Sequence, residues 1–240
     1  MPKRARFLTA EWRWLAMLNY EVDPKLLLSF VPAGTELDSW RGRTFLSLVA
    51  FRFLNTRVAG LPIPFHCNFD EVNLRFYVRR ADGDQTKRGV VFIKEIVPRR
   101  AIAWVARTFY NENYVALPMD HRIDIGEGTV AAEYQWNLSG RVNQVALRTS
   151  GPSALPISDS QEEFITEHYC GYATQRDGGT MEYEVEHPQW HVWSASDFSV
   201  KVDFKTLYGP QLGEILKQRP TSAFLAEGSP VTVYCGRRIA

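Results

Sequence analysis

The chain has 240 residues, 45% of them hydrophobic and 13% aromatic, with 28 Lys and Arg against 27 Asp and Glu. That length fits one β domain, and the nearly cancelling charge supplies no field that favours nucleic acid or an anionic membrane. The basic start Met1 to Arg6 runs into Glu11 and Arg13 instead of a signal-peptide core, no run has transmembrane length, and Cys67, Cys170 and Cys235 form no CxxC pair, so a cytoplasmic protein without a disulfide framework or structural zinc is expected.

Most of the chain reads as short β-branched and aromatic runs between Gly, Pro, Asn and Asp clusters. The first predicted strand is Trp14 to Glu21. Asp23, followed by Pro24, caps a short helix that ends before Pro32. Strands follow at Thr44 to Leu54, Val72 to Val78 and Val90 to Val97, the last two joined by an exposed tip over Ala81 to Arg88. Ile102 to Phe109, Thr129 to Trp136 and Asn143 to Ser150 continue the pattern. A helix begins near Ser158 or Ser160, where Ser160 and Glu163 have capping-box spacing, and runs through Phe164, Ile165 and His168. Strands at Met181 to Glu186, Trp190 to Ala195 and Phe198 to Phe204, a helix from about Pro210 to Lys217, and a strand at Val231 to Cys235 complete the chain. With no linker, charge block or repeat, residues 1–240 are expected to form a single domain, a sandwich or barrel.

Alternation in Glu71-Val72-Asn73-Leu74-Arg75-Phe76 sets Glu71, Asn73 and Arg75 on one face of a strand. That face is either solvated or the lining of a barrel lumen. In Val90 to Val97 apolar residues occupy both faces, so Lys94 or Glu95 must share a face with aliphatics. There a lysine gains nucleophilicity and a carboxyl gains acid/base capacity, unless Arg99, Arg100 or Arg107 pairs with one of them. His187 and His191 are four apart, but extended chain separates their Cα atoms by roughly 13 Å, too far for easy sharing of an ion. GxSxG, P-loop and GxGxxG patterns do not occur.

The segments FLTAEWRWLAMLNYEVDPKLLLSFVPAGTELD, LPIPFHCNFDEVNLRFYVRR, GVVFIKEIVPRRAIAWVARTFYNENYVALP and FITEHYCGYATQRDGGTMEYEVEHPQW, with a closing strand from Phe224 to Cys235, resemble the YqjF-like family of bacterial domains of unknown function. That family is similar to the acetoacetate-decarboxylase-like superfamily. The resemblance implies a mainly β, antiparallel, cone-shaped barrel with two or three short peripheral helices and a central small-molecule pocket. It carries Arg13, ten residues before Asp23, and Glu71 over as pocket residues. It does not carry over the decarboxylase lysine, whose place falls on Asn113, Tyr114 or Val115, none of which forms an imine. A second pocket acid, expected near Leu46 or Ser47, is also absent.

The expected site therefore comprises Glu71 and Glu95 as proton-moving groups with Arg13, Arg107, Tyr110 and Asn113 as binding groups. It would take a small carboxylate- or carbonyl-bearing metabolite without metal or organic cofactor. A reaction there would be lyase- or hydrolase-like acid/base chemistry. The rival expectation is a non-catalytic binding or assembly protein whose charges form structural ion pairs. Neither nucleic acid nor membrane is an expected partner, and a homo-oligomer is left open. Lys94 is not expected to replace the missing lysine, because it precedes the AIA strand.

Overall fold

A computed structural model of the chain describes residues 4–99, 101, 111 and 113–240. Fifteen strands are present among them: β1 (Arg6–Val22), β2 (Glu36–Leu37), β3 (Thr44–Val58), β4 (Leu61–Pro62), β5 (Phe69–Asp82), β6 (Gln85–Val97), β7 (Tyr114–Ala116), β8 (Met119–Gly126), β9 (Thr129–Leu138), β10 (Arg141–Thr149), β11 (Cys170–Thr174), β12 (Thr180–Glu186), β13 (Val192–Lys201), β14 (Ser222–Tyr234) and β15 (Arg237–Arg238). Helices are few: two 3-10 turns at Pro24–Leu26 and Leu28–Phe30, α1 (Gln161–Thr166) and α2 (Phe204–Leu216). The fold is the mainly β architecture expected.

Pairing runs β12-β11-β6-β5-β3-β1-β14, and a further pairing of β12 with β14 through Val185–Val233 and Glu186–Thr232 closes this path into a ring. All steps of the ring are antiparallel except β6–β11, which is parallel at Gly89 and Val90. Glycines permit the close approach on both sides of β11, Gly89 toward β6 and Gly171 toward β12. A Cβ on Gly89 would lie 2.5 Å from the Cys170 carbonyl oxygen, and one on Gly171 would lie 2.1 Å from the Tyr183 ring, both closer than side-chain atoms can approach. From β14 the pairing continues into β13, β10, β9 and β8.

Strand alternation separates two cores. The inner cluster takes Ala10, Leu15 and Met17 from β1, Val49, Phe51 and Phe53 from β3, and Tyr77 from β5. The outer cluster takes the intervening residues Ala16, Leu18, Leu48, Ala50, Val72 and Leu74, and buries them against Tyr134, Trp136, Val145, Leu147 and the apolar side of α2. Both faces of the ring strands are thus covered, which is why β3 and β5 read as nearly continuous apolar runs.

Bulges in β1 and β6 shift which residues face inward beside the candidate residues. In β1, Arg13 pairs with Arg52 but Ala16 pairs with Ala50, so one residue is inserted, and Trp14 takes φ 52°. Its carbonyl accepts a 2.7 Å hydrogen bond from the Tyr134 hydroxyl. In β6, Lys94 pairs with Leu74 while Phe92 pairs with Arg75, leaving Ile93 as the extra residue. A bulge puts two residues opposite one and reverses the phase beyond it.

The expected segments differ from the observed ones in a few places. Trp190 to Ala195 and Phe198 to Phe204 are one strand, β13, preceded by the packed Trp190. The last helix starts earlier, at Phe204, because Asp203 caps it by accepting from the Thr206 backbone N–H at 3.2 Å; Gly209 and Pro210 then kink it. Ser160 does cap α1, accepting from Glu163 at 3.1 Å, but the helix ends at Thr166, short of His168. The predicted strand Ile102 to Phe109 lies outside the described residues.

Candidate functional site within the strand ring

The ring encloses a cavity of about 240 Å³. One wall is aromatic: Trp12 of β1, Phe51 and Phe53 of β3, Phe69 of β5 and Trp190 all line it. Trp12 meets Phe51, Phe53 and Trp190 edge-on with ring centroids 5.6, 5.8 and 6.2 Å apart. The facing wall carries the polar groups. Glu71, Asn73 and Arg75 project inward from alternate positions of β5, and Glu95 from β6. Their exposures are only 3, 2, 8 and 1%, so the polar face of β5 is a lumen lining and not a solvated surface.

Glu71 accepts hydrogen bonds from Asn73 Nδ2 at 3.0 Å and from the Tyr114 hydroxyl at 3.3 Å. Tyr114 arrives through the parallel pairing of β7 with β6, which sets it beside Glu95 on the inner face. Of the three residues left open for the decarboxylase lysine's place, Tyr114 is the one that reaches the cavity. Asn113, expected as a binding residue, is turned outward by the same alternation: it is exposed and donates from Nδ2 to the Ile93 carbonyl at 3.0 Å.

The β6 bulge settles the ambiguity between Lys94 and Glu95. With Ile93 inserted, Ile93 and Lys94 both face the outer core and Glu95 faces the lumen. The Lys94 amine donates to the Leu207 carbonyl of α2 and lies 5.7 Å from the Tyr208 ring centroid; burial lowers its pKa from the ordinary lysine value. Among the described residues no lysine lines the cavity.

Arg13 is not brought into the cavity. Because Trp12 points inward, Arg13 points outward with Glu11, binding its carboxylate at 2.8 Å and the Gly228 carbonyl at 3.4 Å. Glu71 and Glu95 are therefore together, Arg13 and Asn113 are elsewhere, and Arg107 and Tyr110 lie outside the described residues. Ser47, near the place of the missing second acid, donates to Asn19 Oδ1 at 2.6 Å and accepts from the Tyr77 hydroxyl at 2.7 Å, an uncharged buried network.

Three functional candidates escaped the sequence reading as site residues: Arg75, His168 and His187. Alternation had already set Arg75 on the Glu71 face. The histidines had no such signal, since His168 sits just beyond α1 and His187 in the turn before Trp190. His187 is stacked between Tyr169 and Trp190, at centroid distances of 4.8 and 4.3 Å, and burial lowers its pKa. His191 instead is half exposed beside Glu227, so the two do not converge. Among the described residues no group of three His, Cys, Asp or Glu side chains is arranged to hold a metal ion.

This mainly β ring with few helices has the fold of acetoacetate-decarboxylase-like proteins, and solved structures match it over the whole chain. Acetoacetate decarboxylase from Legionella pneumophila superposes with a TM-score of 0.68 at 14% identity, covering 100% of this chain and 92% of that one. The enduracididine biosynthesis enzyme MppR, complexed with pyruvate, gives 0.67 at 13% identity over 100% and 92%. At such identities the likeness is one of fold. The chain belongs to DUF2071, a family of uncharacterised conserved proteins, whose sequence model matches residues 9–230. The uncharacterised protein YqjF of Bacillus subtilis is 27% identical over 208 residues, 86% of this chain and 82% of that protein.

Proposed function

We propose that the ring cavity binds a small organic molecule carrying a carboxylate or carbonyl group, and that Glu71 is its proton-transferring residue. The observation that carries this reading is the Glu71 carboxyl, buried in a cavity that is otherwise largely aromatic and hydrogen-bonded by Asn73 and Tyr114. A concave apolar site with a few convergent polar groups is the usual form of a small-molecule site. Tyr114 and Asn73 orient Glu71, and Glu95, across the β5–β6 pairing from Asn73, is the second acid within the same wall. Proton abstraction or delivery beside a carbonyl is the chemistry these groups can perform. The pyruvate complex of MppR supports a 2-oxo acid as the first ligand class to try. A route through an enzyme–lysine imine has no support, since Lys94 faces α2.

The test is a thermal-shift panel of 2-oxo acids, β-keto acids and aryl carboxylates on the purified protein. A true ligand at about a hundred times its Kd adds about 2.7 kcal/mol of stability. Glu71→Gln, close in shape, should fold with stability within about 1 kcal/mol of the parent and lose turnover of any ligand that the parent converts. If no member of the panel stabilises the parent, the reading is wrong.

A further inference from the structure

The cavity wall holds two buried nitrogen groups whose hydrogen-bonding capacity the described residues leave largely unmet. Arg75 projects there beside α1; among the described residues its Nη2 makes a long 3.4 Å contact with the Ile165 carbonyl, and its guanidinium lies 5.8 Å from the Tyr77 ring centroid. Its Nε is buried without a hydrogen-bond partner. His168 lines the same cavity, and neither ring nitrogen has a hydrogen-bond partner among the described residues. Its Nε2 lies 3.8 Å from Asp38 Oδ2, outside hydrogen-bond range. Native interiors rarely leave such groups unmatched.

The two groups and the wall facing them specify a complement. An arginine fork is matched by a planar two-oxygen anion. The aromatic wall formed by Trp12, Phe51, Phe53 and Trp190 accepts a flat apolar body. We infer that Arg75 and His168 form the seat for the carboxylate of a small monoanionic acid with a ring-sized apolar body, and that seating the anion takes up one proton onto His168. This deepens the proposed function and rests on the cavity being a ligand site.

Proton uptake follows from what surrounds His168. Asp38 approaches Nε2 from the segment between β2 and β3, Arg88 of β6 is bound to Asp38 at 2.7 Å, Arg75 comes from β5, and the rings of Tyr77 and Phe164 pack against the imidazole. Burial, with the two arginines adding to it, lowers the His168 pKa to about 4, against the pull of Asp38. His168 is therefore neutral in the empty protein near pH 7. With Nε2–H directed at Asp38, Nδ1 carries a lone pair, which repels a carboxylate. An arriving anion cancels the field of Arg75, and a proton from solvent turns Nδ1 into a second donor.

Benzoate is the probe, with benzamide as its uncharged counterpart, in isothermal titrations at pH 7.5 and 6.0, each in two buffers of different ionisation enthalpy. Expected results are benzoate binding about thirtyfold tighter at pH 6.0 than at pH 7.5, the tenfold per pH unit that uptake of one proton requires, buffer-dependent heat showing proton uptake, and weaker binding of benzamide. Arg75→Met should weaken benzoate about tenfold or more, and His168→Asn should abolish the proton uptake. Should Arg75→Met fail to fold, Arg75→Lys keeps the charge but lacks the fork and should weaken binding similarly. Benzoate affinity unchanged in the arginine variants, or no uptake in the parent, overturns the seat. If other panel members still bind, the cavity reading stands; if nothing binds, both fall.

Discussion

Two of the places where the chain buries charge are treated differently. Around Glu182 of β12, which is wholly buried, the cations converge: Arg80 at 2.9 Å, Arg237 at 2.9 Å, Arg4 at 3.4 Å and Lys87 at 3.5 Å. Asp82 and Glu184 offset two of the remaining three positive charges, with Lys87 Nζ 3.2 Å from Asp82 and 2.8 Å from Glu184. Burial alone would raise the Glu182 pKa, but the cations around it hold it below its usual value. At the cavity wall, by contrast, Arg75 and His168 have no carboxylate within hydrogen-bond range. A saturated cluster ties strands together: Glu182 joins the N-terminal segment, the β5–β6 hairpin and the C-terminal β15. An unsaturated one is held in place by the scaffold and waits for its counter-charge. Structural ion pairing describes the first place.

The comparison breaks most sharply under mutation of Glu182. Glu182→Gln leaves several cations facing one another with their anion gone, and should cost on the order of 3 kcal/mol, read from urea unfolding. A loss below about 1 kcal/mol would mean that the cluster is solvated well enough to be ornamental.

Acid titration separates the two places by pH. The His168 value of about 4 lies below the ordinary 6.5, so between those values the unfolded chain binds a proton that the folded chain does not. Its contribution is fully present above pH 6.5 and is lost as pH falls toward 4, on the order of 3 kcal/mol in all. Asp38 acts lower. Burial opposes its ionisation, but His168 and Arg88 hold its carboxyl down to about 2, so its contribution is lost only as pH falls from 3.8. Urea midpoints measured from pH 7.5 to 4.5 should decline, and in His168→Asn the decline should flatten. An unchanged slope in that variant assigns the acid sensitivity to other groups.

The smallest expected effect is the most discriminating. If Arg75 is unmatched, Arg75→Met removes a buried guanidinium that gains little from the fold, and should change stability by less than about 1 kcal/mol in either direction. A loss of 3 kcal/mol or more would make Arg75 a structural residue like those around Glu182.

Much of the ring was legible because its rules are local. Alternation through Glu71-Val72-Asn73-Leu74-Arg75-Phe76 places the three polar side chains together, and they do share the lumen. Alternation fails where a strand gains a residue, and the bulges in β1 and β6 fall beside candidate residues. The resemblance pointed Arg13 inward, whereas the phase of Trp12 in β1 sends it out; Asn113 was named although its neighbour Tyr114 has the inward phase. β8 was missed because its exposed residues, including Asp120, Arg122 and Asp124, give it the composition of a loop, and β11 because Gly171 interrupts it. His168 could not be read as a site residue, since its role depends on Arg75 and Asp38, which are distant in the chain and meet it only in the closed ring.

The extra residue in β6 reaches beyond packing. The bulge at Ile93 decides whether the lumen receives a carboxyl or an amine, because the same residues in unbulged alternation from Phe92 would turn Lys94 inward in place of Glu95. The chemical character of this cavity is set by counting as much as by composition. Two chains that carry the same Lys-Glu pair in β6 can differ in chemistry through whether the extra residue is absorbed in a bulge. Matching them column by column would score the pair as identical while an imine-forming amine had been exchanged for a proton carrier.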